Sequence, residues 1–299
     1  MLRTRLIAGP WAGFVLSAVA ATLLASIQVG SGFFEPLRVV ADEPAPVTLR
    51  LDRATSADLS GQGVTAHHGL VLERNTEASD PVTRDVIERV SSRNASDHLE
   101  TLLGLWLMDL LLLLGLTAYI RKFCGGQGRL MRTQAGLLGV IVCFMAVAKL
   151  VLSLTPYSLY LIPVATVPIW MAGYVERRTA LMVALVCSVL TVSLASFDLA
   201  PMLVLTAGSF AAVLALQEDT RPLALFIGGA ISGLAAATFT LASTMLLHGG
   251  VPDGGLGSFE AVRVDLRTPI RSDILAALAG GLMSGLLGAL AASAIGRVL

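Results

Sequence analysis

One feature constrains this chain more than any other: eight apolar stretches, each close to the length that crosses a bilayer, separated by little polar sequence. Hydrocarbon about 30 Å thick is spanned by about 20 helical residues. Within it every backbone N–H and C=O must be satisfied inside the segment, which favours helices. The stretches run Ile7–Val29, Leu99–Ile120, Gln134–Leu154, Tyr157–Val175, Thr179–Phe197, Leu199–Leu216, Pro222–Leu247 and Ile274–Ala294. The expected fold is an all-α polytopic membrane protein of about eight transmembrane helices, one anchor plus a seven-helix bundle. A small extracytoplasmic α+β segment completes it. Charged residues make up only 14% of the chain, where an ordinary soluble domain carries about 25%. Lys+Arg and Asp+Glu both total 21, so no global field attracts nucleic acid or a strongly anionic partner.

Residues 1–30 are expected to form the anchor, 31–98 the extracytoplasmic segment, and 99–297 the membrane domain, with a long outer loop at 248–273. Orientation follows from the basic residues. With Arg3 and Arg5 in the cytoplasm, the inner connections hold Arg121, Lys122, Arg129, Arg132, Arg177, Arg178 and Arg221, and Arg297 lies at a cytoplasmic C-terminus. Outer turns such as Thr155-Pro156 and Asp198 carry no positive charge, which is the positive-inside pattern of short loops. The expected location is a bacterial inner membrane, with both termini cytoplasmic. A secretory h-region has only 7–15 apolar residues. Ile7–Val29 is longer, so the first span reads as a retained anchor rather than a cleaved signal.

In the extracytoplasmic segment Val47–Leu51 and Gly69–Glu73 read as short strands, and Pro44 and Pro46 favour extended backbone before the first. Asp80-Pro81 has the form of a helix N-cap followed by proline, and Val82, Val86, Ile87 and Val90 recur at helical spacing. His67, His68 and His98 do not form a metal site in this reading, because adjacent histidines on a strand point to opposite sides and zinc needs three or four ligands. Asn94-Ala95-Ser96 matches a glycosylation tripeptide that is common by chance.

Asp109 lies in the middle of the second span and Lys149 in the outer third of the third. Ionisable residues at that depth face a bundle interior, pair, or line a pathway. A relay needs several titratable groups along a path. These spans hold two, so the pair reads first as a packing contact and second as a polar pocket. Gly229 and Gly233 in the seventh span, and Gly281, Gly285 and Gly288 in the last, belong to series of small residues spaced for close helix packing. Pro163 and Pro168 in the fourth span predict helix kinks. The basic inner residues Arg121, Lys122, Arg129, Arg132, Arg177 and Arg178 are candidate contacts for a cytoplasmic partner or for lipid headgroups. Cys124 reads as a free cytoplasmic thiol, and Cys143 and Cys187 as small packed hydrophobes. No catalytic motif, metal-ligand spacing or cofactor-binding loop is found.

Several runs resemble a known family. Gly69–Arg74 with Asp80–Thr83, Tyr160–Pro168 with Val175–Arg178, and Gly280–Leu287 are similar to the membrane half of the bacterial seven-transmembrane HD-hydrolase proteins. The resemblance covers about residues 65–294. It implies an anchor, an extracytoplasmic domain and seven spans, followed in the family by a cytoplasmic HD domain that degrades cyclic di-AMP. The segment 31–98 is far shorter than the family's, and the four histidines, with no His-Asp pair, offer nothing to carry over to the hydrolase site. A membrane region lacking the HD domain is therefore expected, with no cofactor. Its expected role is a non-enzymatic sensor-like or assembly/scaffold subunit, acting through the lipid bilayer and another membrane or cytoplasmic protein. The alternative is a small-solute or ion transport component lined by Asp109, Lys149 and the proline-bent span.

Overall fold

A computed structural model describes residues 10–29, 49–50, 70–72, 95–123, 131–154, 158–172, 176–194, 197, 199–216, 222–248 and 269–295. The described residues are helical apart from one short antiparallel pairing of β1 (Leu49–Arg50) with β2 (Leu70–Leu72), in which Leu49 faces Leu72. These pieces lie inside the two stretches read as strands; the helix read over 81–90, and His67 and His68, lie outside the described residues.

The helices are α1 (Pro10–Val29), α2 (Ala95–Phe123), α3 (Met131–Leu154), α4 (Thr166–Ala172), α5 (Arg177–Ser193), α6 (Leu199–Ala215), α7 (Pro222–His248) and α8 (Pro269–Ile295). Three of them open on proline, whose missing N–H would have had no intrahelical partner there. Five of them, α1, α2, α3, α7 and α8, are long and apolar enough to cross a membrane. The other three stretches are shorter. The count of eight spanning helices is thus narrowed to five that pass by length and composition.

Several boundaries move. α2 begins at Ala95, α3 at Met131 and α8 at Pro269. Ser96, Asp97 and His98 therefore sit in the first turn of α2, Arg132 in that of α3, and Arg271 in that of α8. Arg177 and Arg178 are the first two residues of α5 rather than loop. Hydropathy marks the apolar middle of a helix. The ends outside hydrocarbon tolerate charge while keeping helical hydrogen bonds.

The stretch drawn as one span over 157–175 is broken. Leu159–Leu161 forms a single 3-10 turn, Ile162 is extended at φ −65°, ψ 125°, and α4 begins only at Thr166. Pro163 explains the break, because its ring excludes α-helical backbone at the residue before it. Short local bonds bridge the gap: Val164 N donates to Ile162 O at 2.8 Å and Thr166 N to Pro163 O at 3.1 Å. Pro168 causes no kink. It is the third residue of α4, where backbone N–H groups have no intrahelical acceptor and a proline costs little.

The chain divides into two compact units. In the first, α1 packs on α2 and on α3. Its buried side chains include Leu24, Leu113, Leu116, Ile141 and Met145, while Leu99, Leu103, Leu107 and Leu111 form an exposed stripe at four-residue spacing on α2. An apolar stripe facing outward is what a lipid solvent selects.

The second unit contains the broken segment, α4, α6, α7, α8 and all of α5 except Ser193. Its tightest pair is α7 with α8. A Cβ built on Gly229 would strike the backbone of Gly285, and one on Gly281 would strike the backbone of Gly233. Gly280 lies against the carbonyl of Tyr160, and Gly288 against the side chain of Ile169. Small residues let these helices approach until backbone meets backbone, which is how apolar helices gain packing energy where lipid is equally apolar.

Candidate functional site

Several polar residues of the first unit line a seam between α1 and α2. At one level the hydroxyls of Ser17 and Thr117 are 3.3 Å apart. Thr117 gives its own hydrogen to Leu114 O at 3.0 Å, which makes Ser17 the donor. At the next level Trp106 Nε1 donates to Thr22 Oγ1 at 3.0 Å, and Thr22 donates onward to Ala18 O at 2.9 Å. Hydroxyls bonded back to their own helix expose little polarity to hydrocarbon while keeping a lone pair for the neighbouring helix.

The third level holds Asp109. It is fully buried on α2, and its Oδ1 accepts from Gln28 Nε2 at 3.3 Å. Gln28 Nε2 also donates to Ser193 Oγ at 2.8 Å. The remaining oxygens, Asp109 Oδ2 and Gln28 Oε1, are buried with no hydrogen-bond partner. Lys149 reaches the same residue from α3, its Nζ donating to Gln28 O at 3.0 Å. Gln28 is the penultimate residue of α1, so its carbonyl is one of the four at the helix end without an intrahelical donor. A cation there satisfies the carbonyl and complements the negative end of the helix dipole. Asp109 and Lys149 are therefore brought into one cluster, with Gln28 between them.

The basic residues take different positions. The Arg121 guanidinium lies over Gly13 of α1, in the space a Cβ at that position would need. Lys122 Nζ sits 5.5 Å from the centre of the Phe123 ring, which in turn packs on Tyr119 with centroids 4.8 Å apart. Arg177 and Arg178 are exposed and belong to the other unit. Arg129 and Cys124 lie outside the described residues. Cys143 is exposed and Cys187 buried, both as free thiols. Among the described residues no three His, Cys, Asp or Glu side chains come together as a metal site would require.

Gln28 and Ser193 were not among the sequence candidates. Gln28 carried a readable signal as the one residue of α1 with an amide side chain. Ser193 carried none, because serine recurs throughout the apolar stretches.

Chemically, the cluster is a set of hydrogen bonds joining three helices and Ser193. The described residues thus make a multi-pass helical membrane protein with a buried polar seam. The family described as "7TM receptor with intracellular HD hydrolase" matches residues 99–295, which is the stretch from α2 through α8. The chain belongs to that family. No curated protein and no solved structure matches it.

Proposed function

We propose that this chain is the receptor-like membrane module of a signalling protein, acting without chemistry of its own on an intracellular HD hydrolase. The observation that carries this reading is the family match over residues 99–295, whose description joins a seven-span receptor to a hydrolase inside the cell. Seven helical segments fall in that range: α2, α3, the broken segment ending in α4, α5, α6, α7 and α8. With α1 they make eight membrane segments, both termini inside and the stretch between α1 and α2 outside. The location is the bacterial inner membrane. α5 and α6, at 17 residues each, sit at the short end of the spanning range. The broken segment crosses only as part of a packed bundle, where irregular backbone is tolerated.

In this reading the exposed cations Lys122, Arg177 and Arg178 meet the hydrolase or the headgroups beside it, while Arg121 is committed to packing on α1. The cluster at Gln28 supports a sensor over a transporter, since its Lys149 caps a helix end rather than lining a path.

Photocrosslinking residues placed at Lys122 and Arg178 in native membranes test this. The expected result is a crosslink from both positions to an HD hydrolase domain. Crosslinks confined to lipid and to other copies of the chain, together with solute uptake by the reconstituted protein, would overturn it in favour of transport. Impermeant thiol labelling tests the topology: a cysteine at Gly257 should label from outside and one at Asp219 should not.

A further inference from the structure

We propose that Asp109 binds a proton on Oδ2, and that this proton completes a two-bond acid–amide pair with Gln28. A carboxylic acid and a primary amide are complementary: the amide N–H donates to one carboxyl oxygen while the acid O–H donates to the amide oxygen. Half of that pair is present, with Gln28 Nε2 on Asp109 Oδ1 at 3.3 Å. The other half is two acceptors, Asp109 Oδ2 and Gln28 Oε1, both buried and both without a partner. Two acceptors cannot satisfy each other, and unsatisfied buried polar atoms are rare because each keeps its full desolvation penalty. A single hydrogen on Oδ2 answers both.

The alternative is a carboxylate holding its charge, fully buried, on one long hydrogen bond, with its other lone pairs empty. Oδ2 receives no hydrogen bond from any donor, charged or neutral. α1 has no titratable side chain between Pro10 and Val29. On α2 the nearest titratable groups are Glu100 and Tyr119, about 13–15 Å along the helix. α3 contributes Arg132, Cys143 and Lys149, and Lys149 Nζ donates to the Gln28 carbonyl. Ser193 adds a hydroxyl that accepts from the same amide.

The consequence is a proton-sensitive clasp on the end of α1. With the proton bound, Gln28 is held to Asp109 by two bonds, to Ser193 by one and to Lys149 through its carbonyl. Loss of the proton removes one bond, leaves a buried charge, and frees the last turn of α1, which leads into residues 30–48. The clasp acts within this chain alone and needs no hydrolase partner.

The test compares Asp109→Asn and Asp109→Leu with the wild type in lipid nanodiscs. Asparagine forms the same two bonds without a proton, its Nδ2 donating to Gln28 Oε1 and its Oδ1 accepting from Nε2. D109N is expected to melt with the wild type at neutral pH and to keep that stability as pH rises, while the wild type loses it and D109L melts lower throughout. Infrared difference spectra between wild type and D109N should show a protonated carboxyl C=O stretch at neutral pH. A carboxylate stretch in its place overturns the proposal, as does D109N melting as low as D109L. Stabilisation of the wild type by sodium over choline, absent in D109N, would also overturn it, because a metal cation would then occupy the site.

Discussion

Replacing Gly281 with alanine should push α8 off α7, and the structure sets the size of the effect. The added methyl would run into N and Cα of Gly233 and lie 2.9 Å from Gly229 O. All of these are backbone atoms, so no side-chain rotation relieves the contact and one helix must move. Overpacking of this kind costs about 1–3 kcal/mol. Alanine returns about 1 kcal/mol as the better helix former, which leaves a net loss of about 0–2 kcal/mol. Two controls separate packing from propensity. Gly139 on α3 has nothing within 4 Å of its added Cβ, so G139A should be neutral or slightly stabilising. Gly288 meets the Ile169 Cγ2 at 3.0 Å, the end of a side chain that can shift, so G288A should fall between the two. Equilibrium unfolding of the three variants in mixed micelles reads the order directly. If G281A unfolds at the same denaturant concentration as G139A, the backbone-to-backbone contact of α7 and α8 is not what holds this pair, and the reasoning fails.

Further outcomes follow from other parts of the fold. Lys149→Met should cost about 0.3–2 kcal/mol in the same unfolding assay, the value of a cation at a helix C-terminus, and K149R should recover most of it. Pro168→Ala empties part of a buried ring site and should cost about 0.5–3 kcal/mol without altering hydrogen exchange along α4, whereas P163A should restore helical hydrogen-exchange protection across residues 162–166. Leu107→Arg places a charge on the exposed stripe of α2 at a cost of about 2.5–3.5 kcal/mol by insertion scales. It should lower the inserted fraction in a glycosylation-mapping assay, and an unchanged fraction would mean that the stripe faces protein rather than lipid.

Much of this architecture is legible because hydropathy and spacing are local. The lengths of α1, α2, α3, α7 and α8 can be read from runs of apolar residues alone, and the four-residue glycine spacing in α7 and α8 marks faces able to approach closely. Which glycine meets which is a tertiary fact: Gly229 facing Gly285 and Gly233 facing Gly281 require the register of two antiparallel helices. The proline pair shows the same divide more sharply. Pro163 and Pro168 look equivalent in sequence, yet their effects are opposite, since one precludes helix at Ile162 and the other sits in the opening turn of α4. What separates them is where a helix starts, and that is decided by packing over the whole unit.

The polar cluster is the clearest case. Asp109 and Lys149 stand out because charge is costly in hydrocarbon, and a search for charge naturally joins them to each other. The residue that organises both is Gln28, which is uncharged and close to the end of its span. It serves Asp109 with its side chain and Lys149 with its main chain. A helix end brings this about: the carbonyls of the last turn need donors from elsewhere, so a lysine that looks like a counter-ion in sequence is drawn to the backbone. With Lys149 donating to the backbone of α1 and no donor on Asp109 Oδ2, a proton is what completes the buried carboxyl group. That is why the geometry around Gln28 points to a proton on Asp109.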